Sequence, residues 1–321
     1  MSDVSTTAKN QESSRGHTSG DPSRLAAYTH LHHQDSVLVT NWGQIGPDLF
    51  AVSVRWPPLS CSLPYDPRLV AQTVRQCGLT LAHAEYGVPL SHQTLLNSLE
   101  FALSPELRAS PARTTPLRVL VDVTRAGRAL HMRFRILHGE VTVARAEAEF
   151  GWVSPAVYRR LRGEHATVDW GVWPLPAPVA PSLLGRRSET EVAIAATERP
   201  RRWQLRNDVR DLHLFDHPVD HVPGLALLEA ADQVARAVLG PDPVMPSRVS
   251  VSYLHYVEFD EPCWLEATLR SAPGSRSTVR VSGVQGGVTK FHADILHPER
   301  NGGADRGRPA GRPAPHDGLT G

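Results

Sequence analysis

Two helical segments 157 residues apart carry the same polar stripe, and each is followed by alternating strands, an arrangement few folds accommodate. Residues 66–78, DPRLVAQTVRQCG, read as a helix capped by Asp66 with Pro67 at its first position. Residues 221–235, HVPGLALLEAADQVA, read as the second helix. Pro223 suits its first position, and Gly240-Pro241 ends it. Superposing Gln72 on Glu229 also superposes Gln76 on Gln233, and the same offset carries Pro89 onto Pro246.

Strand patterns flank both helices. Leu117, Val119, Val121 and Val123 alternate with Arg118, Asp122 and Thr124, and Met132, Phe134 and Ile136 alternate with Arg133 and Arg135. After a turn at Gly139, Ala144, Ala146, Ala148 and Phe150 alternate with Arg145, Glu147 and Glu149. Residues 249–257, 265–269 and 279–281 take the same parts in the second unit, with turns at Gly274 and Gly286-Gly287. Phe50, Val52 and Val54 form an early strand before the first helix. One long helix wrapped by a curled antiparallel sheet is the hotdog arrangement, an α+β class, and two in tandem pair about a pseudo-twofold axis. The expected organisation is a structureless N-terminal tail at 1–27, repeat 1 at 28–153, a Pro-rich linker at 154–200, repeat 2 at 201–298 and a C-terminal tail at 299–321.

The polar stripe of the second helix admits two readings. Leu227, Ala231, Val234 and Val238 share one face, and Glu229, Asp232, Gln233 and Arg236 share the opposite one. On a lone helix the polar face is a solvated stripe with short-range contacts. In a tandem hotdog it lines a cleft against the partner unit. There a carboxylate can take a proton and a carboxamide cannot, so Glu229 rather than Gln72 is the candidate base and the pair has one catalytic side. His217 and His221 precede this helix, where an imidazole can polarise a carbonyl or shuttle a proton. Asp216 and Asp220 beside them are also ordinary turn formers.

Composition excludes more than it proposes. A net charge of +1 gives no electrostatic reason for nucleic-acid or membrane binding. Of 34 basic residues all but Lys9 and Lys290 are arginine. Cys61, Cys77 and Cys263 have neither metal spacing nor a paired framework, and neither a signal core nor a membrane-length apolar run is present. A soluble cytoplasmic protein is expected. The cluster His30, His32, His33 lacks a matching ligand set, so no metal site is expected. Phosphate-loop, dinucleotide and nucleophile-elbow motifs are absent.

The segment FDHPVDHVPGLALLEAADQ resembles the signature of the A-factor biosynthesis (gamma-butyrolactone synthase) family, whose members carry two hotdog repeats. YTHLHHQDSVLVTNW and VAQTVRQCGLTLAHAEYGVPLSHQ are similar to its opening strand and first-helix segment, and WQLRNDVRDLHLFDHPVDHVPG to its approach to the second helix. The resemblance spans about residues 28–297. It implies an acyltransferase that moves a β-ketoacyl group from an acyl-carrier-protein thioester to the hydroxyl of dihydroxyacetone phosphate, the ester then cyclising toward a butyrolactone signal. No cofactor is implied beyond the phosphopantetheine that carries the substrate. The partners would be the carrier protein and dihydroxyacetone phosphate, with the chain a monomeric pseudo-dimer or a homodimer.

On this reading Glu229, His217 and His221 are the catalytic candidates. Asp220, Gln233, Arg75, Gln76, Arg206 and Arg210 are the substrate-binding ones, the arginines for phosphate. Two positions depart from the family pattern: Gln72 stands where many members have glutamate, and Asp232 where a basic residue is common. A hotdog thioesterase or dehydratase, or a non-catalytic acyl-binding relative, are the alternatives.

Overall fold

The computed structural model describes residues 18–19, 21–240, 245–270 and 276–298. The expected C-terminal tail, the first seventeen residues, the turn at Gly274 and Pro241 lie outside them. Four helices run as α1 (Pro22–Thr29), α2 (Pro67–Ala84), α3 (Pro155–Arg162) and α4 (Gly224–Leu239). The strands are β1 (Thr18–Ser19), β2 (Val39–Gly46), β3 (Leu49–Trp56), β4 (Gln93–Leu103), β5 (Thr115–Ala126), β6 (Ala129–His138) and β7 (Val141–Val153) in the first half. The second half holds β8 (Ile194–Ala196), β9 (Arg202–Leu205), β10 (Arg248–Tyr253), β11 (Trp264–Arg270), β12 (Ser277–Gln285) and β13 (Val288–His297).

All thirteen belong to one antiparallel sheet in the order β1-β2-β3-β5-β6-β7-β4-β10-β13-β12-β11-β9-β8. Apart from β1, the order is a palindrome about the seam between β4 and β10. Two hotdog units therefore join edge to edge, each sheet supplying the other's missing neighbour, which leaves no exposed inner edge at the seam. Phe101 pairs with Val249 and Leu99 with Val251 across it, and all four are buried. The sheet does not close on itself.

Alternation sets which face curls around the helices. Val119, Val121, Phe134, Ile136 and Phe150 point into the core, and Arg118, Arg133, Arg135, Arg145 and Glu147 point to solvent. Helix α2 starts where Asp66 accepts a hydrogen bond from the Arg68 amide at 3.0 Å. Gly78 on α2 meets the Phe150 ring so closely that a Cβ there would sit 2.3 Å from a ring carbon. Helix α4 begins one residue later than expected: Pro223 is its N-cap, and no side chain caps it. It ends at Gly240, whose φ of 88° only glycine adopts readily.

Two segments differ from expectation. Helix α1 occupies residues assigned to the N-terminal tail, because Leu25 and Tyr28 are buried against the first unit. The Pro-rich stretch at 154–200 is not a bare linker. It contains α3, short 3-10 turns and β8, buries Leu184 and Arg186, and stacks Trp173 on Phe259 at 4.2 Å. Pro174, Pro176 and Pro178 remove ladder donors without preventing aromatic packing, so the run crosses the surface and still inserts side chains. Among the described residues no helix is long and apolar enough to cross a membrane.

Candidate active site

The polar stripes of α2 and α4 are inside the protein. Glu229, Asp232, Gln233, Arg236 and Gln76 are all buried, which overturns the solvated reading of α4. The reason is that the short turns at Gln34–Ser36 and Glu189–Glu191 cover the stripes. Gln76 holds the first turn, accepting from the Leu38 amide at 2.7 Å and donating to the Ser36 carbonyl at 2.9 Å. Gln233 holds the second in the same way, accepting from Ala193 N and donating to Glu191 O, each at 2.8 Å. These two expected substrate contacts are the clamps of the duplicated fold, with their amides engaged by backbone.

Glu229 is where the repeats differ. Its Oε1 accepts from Arg186 Nε at 2.9 Å, from Arg186 Nη2 at 2.5 Å and from Gln233 Nε2 at 2.5 Å. Its Oε2 is buried and makes no hydrogen bond. Burial raises the carboxyl above its ordinary value, against the pull of Arg186 and Arg68. The counterpart Gln72 donates to the His213 carbonyl at 3.0 Å, and its Oε1 is likewise buried without a partner. Both residues line one small cavity with Arg68, Asp232 and the apolar side chains Ala71, Phe101, Leu214, Leu225, Leu228 and Val249. Its free space is about 20 Å³, enough for one water. Phe101 and Val249 place it under the seam, on the pseudo-twofold axis.

An ion-pair network braces this cavity. Arg68 binds its own helix cap Asp66 at 2.6 Å, Asp211 at 3.2 Å and Glu191 at 3.4 Å, so α2 is tied to two other segments of the chain. Burial alone would raise Asp66, but Arg68 and Arg186 beside it bring it down to about 2. Asp232 is engaged by Arg236 at 2.7 Å.

The loop before α4 forms two further groups. Asp216 accepts from the His32 and His33 amides at 2.6 and 3.1 Å and from His217 Nδ1 at 3.1 Å, while His217 stacks on His32 at 4.3 Å. Asp220 accepts from His221 Nδ1 at 2.7 Å, Tyr158 OH at 2.8 Å and Arg162 Nε at 2.9 Å. Burial opposes its charge, but His221, Arg162 and Tyr158 hold it down to about 2. Arg162 also grips Glu258 through two 2.7 Å bonds and lies over the Tyr256 ring. Glu229, His217 and His221 thus occupy three separate hydrogen-bonded groups.

The three arginines fare differently. Arg206 is buried, donating to the carbonyls of Pro176, Glu189 and Val192 and to Asp208. Arg210 is held by Asp208 at 2.7 Å. Arg75 forms no ion pair among the described residues and donates to the Thr29 carbonyl at 3.2 Å. Burial pulls it down to about 10.

Sequence reasoning missed Arg186, Arg162 and Tyr158, all from the Pro-rich segment. No local pattern separates them from other surface-type residues. Among the described residues no group of three His, Cys, Asp or Glu side chains is arranged to hold a metal ion.

The A-factor biosynthesis hotdog domain matches residues 25–154 and 171–294. The 2-oxo-3-(phosphooxy)propyl 3-oxoalkanoate synthase of Streptomyces virginiae is 40% identical over 267 residues, covering 79% of this chain and 90% of that protein. The protein of the same name from Streptomyces griseus is 34% identical, covering 85% and 95%. Among solved structures, the 12:0-ACP thioesterase from Umbellularia californica superposes with a TM-score of 0.51 at 12% identity, covering 80% of this chain and all of that one. That last likeness is one of fold.

Proposed function

The chain belongs to the A-factor biosynthesis hotdog domain family, and from that premise and the geometry we propose an acyltransferase that joins a 3-oxoacyl group to the primary hydroxyl of dihydroxyacetone phosphate. The relatives' name describes that ester. The acyl group would arrive as the phosphopantetheine thioester of an acyl carrier protein, and the chemistry needs no resident cofactor.

The observation that carries this reading is the buried, unbonded Oε2 of Glu229 beside the inter-helix cavity. A primary alcohol is a weak nucleophile until its proton is taken. Glu229 Oε2 takes that proton as the alcohol oxygen bonds to the thioester carbonyl carbon. The tetrahedral oxyanion collapses, the C–S bond breaks, and the departing thiolate receives the proton from Glu229, which returns to its starting state. A carboxyl raised by burial suits both transfers, because a base poised nearer neutrality gives and takes with similar ease. Arg186 and Gln233 hold Oε1 and so fix which oxygen acts.

The developing oxyanion needs donors, and the uncapped start of α4 offers backbone N–H groups near the cavity residue Leu225. His221 and His217 each direct Nδ1 to an aspartate in groups that do not line this cavity, so neither takes a step in the transfer. The cavity's 20 Å³ holds no more than one water, so both the reacting groups and the acyl chain enter by displacing its apolar walls.

The test is to supply a 3-oxoacyl thioester with and without dihydroxyacetone phosphate. Acceptor-dependent release of thiol with formation of the phosphorylated ester is expected. Free acid formed equally without acceptor would instead show hydrolysis. Glu229→Gln keeps the size and the Arg186 contact, and should lower kcat by roughly 10²–10⁴-fold. A variant at full activity would remove Glu229 as the base.

A further inference from the structure

Each repeat contributes to the cavity on the pseudo-twofold axis one buried side-chain oxygen that nothing among the described residues satisfies. Glu229 uses Oε1 for Arg186 and Gln233, and its Oε2 is left over. Gln72 uses Nε2 for the His213 carbonyl at 3.0 Å, and its Oε1 is left over. A carbonyl only accepts, so the amide nitrogen has to face His213 and the amide oxygen is the atom that remains for the cavity. The other two polar residues of the lining are already engaged, Arg68 by Asp66, Asp211 and Glu191, and Asp232 by Arg236.

Two acceptors on opposite repeats set the chemistry of what fits between them. A buried acceptor without a donor is destabilising, so a molecule that donates to both is favoured. An alcohol carries one O–H and satisfies one of the two. Water carries two and satisfies both, and the cavity's free space of about 20 Å³ matches one molecule. A water that donates to both oxygens keeps a lone pair for attack. The amide at Gln72 matters for the same reason. A carboxylate there would share the small cavity with Glu229, and one of the two acids would hold a proton and cease to accept.

We propose that Glu229 Oε2 and Gln72 Oε1 together hold one water as a nucleophile, and that the protein slowly hydrolyses 3-oxoacyl thioesters when no acceptor alcohol displaces it. This second activity rests on the Glu229 base assigned above and gives Gln72 a place at the reacting atoms. The water oxygen bonds to the thioester carbonyl carbon while Glu229 takes one of its protons. The tetrahedral intermediate collapses, the C–S bond breaks, and the proton passes from Glu229 to the departing sulfur. The products are the free 3-oxo acid and the thiol. An acceptor alcohol has to expel this water and forgo the bond to Gln72, so transfer and hydrolysis compete for one position.

The experiment uses the full chain with a 3-oxoacyl pantetheine thioester, and quantifies thiol, free acid and phosphorylated ester. Without acceptor, the wild-type protein should release thiol above the buffer rate, saturably and in step with free acid, and Glu229→Gln should lose this release. With dihydroxyacetone phosphate at one fixed concentration, the ratio of free acid to ester is then compared between wild type and the variants Gln72→Met and Gln72→Leu. Losing one hydrogen bond to the water should lower that ratio roughly 10-fold, and a ratio of two products of one enzyme is insensitive to how much of it is folded. A wild type that makes ester but releases no thiol without acceptor overturns the hydrolysis. An unchanged ratio in either variant overturns the water site. Thiol release without acceptor and no ester with it removes the transfer reading and leaves the hydrolysis standing.

Discussion

Asp66 shows how one residue serves fold and site together. Its carboxylate caps α2, grips Arg68 and lies 3.7 Å from Arg186, the arginine that orients Glu229. The cap was legible from Asp-Pro at a helix start, whereas the two arginines were not, because neither contact is implied by neighbours in sequence. Its native pKa of about 2 lies below the ordinary 3.8, so its contribution to stability is present above 3.8 and lost as pH falls through about 2. Asp66→Asn removes that component. In urea unfolding at pH 5 and pH 2, the variant should be clearly less stable than wild type at pH 5, and the gap should shrink at pH 2. A gap independent of pH would mean the carboxylate is not charged in the native state.

At the scale of elements, the two long helices α2 and α4 were readable from capping, periodicity and terminal glycine, and β3, β5, β6, β7, β10, β11 and β12 from alternation. What stayed hidden were the short α1, α3, β8 and β9, and also the longer β4 and β13, the first of which forms the seam. Close approach between elements was hidden too. Gly78 reads as a weak spot in α2, since alanine there would improve helix propensity by about 1 kcal/mol. The structure puts it against Phe150, a fully buried ring with nowhere to move. Overpacking of this kind costs about 1–3 kcal/mol. Gly78→Ala should therefore lower the urea midpoint of unfolding; a raised midpoint would mean the ring can yield.

For the whole molecule, the seam decides behaviour. Strands β4 and β10 pair along five residue positions, and Arg68 and Arg186 bind acids on both sides of the pseudo-twofold axis. Neither unit can open without stranding charges and strand-edge groups of the other, so the two repeats should unfold together. Calorimetry is expected to show one transition with equal calorimetric and van't Hoff enthalpies. Two resolved transitions would show that the repeats are independently stable.

The linear chain by itself determined that there are two units, each a helix with an alternating sheet, and that Glu229 faces an amide at the equivalent place. These follow from local geometry: side-chain period and capping act over a few residues. Only the tertiary structure decided that the polar stripes are buried, that Arg186 rather than solvent meets Glu229, and that Arg75 donates to the Thr29 carbonyl. Those outcomes depend on contacts between segments 38 or more residues apart in the chain. Which polar group is covered, and by which charge, is set by how the Pro-rich segment folds back over the helices, and no periodicity records that.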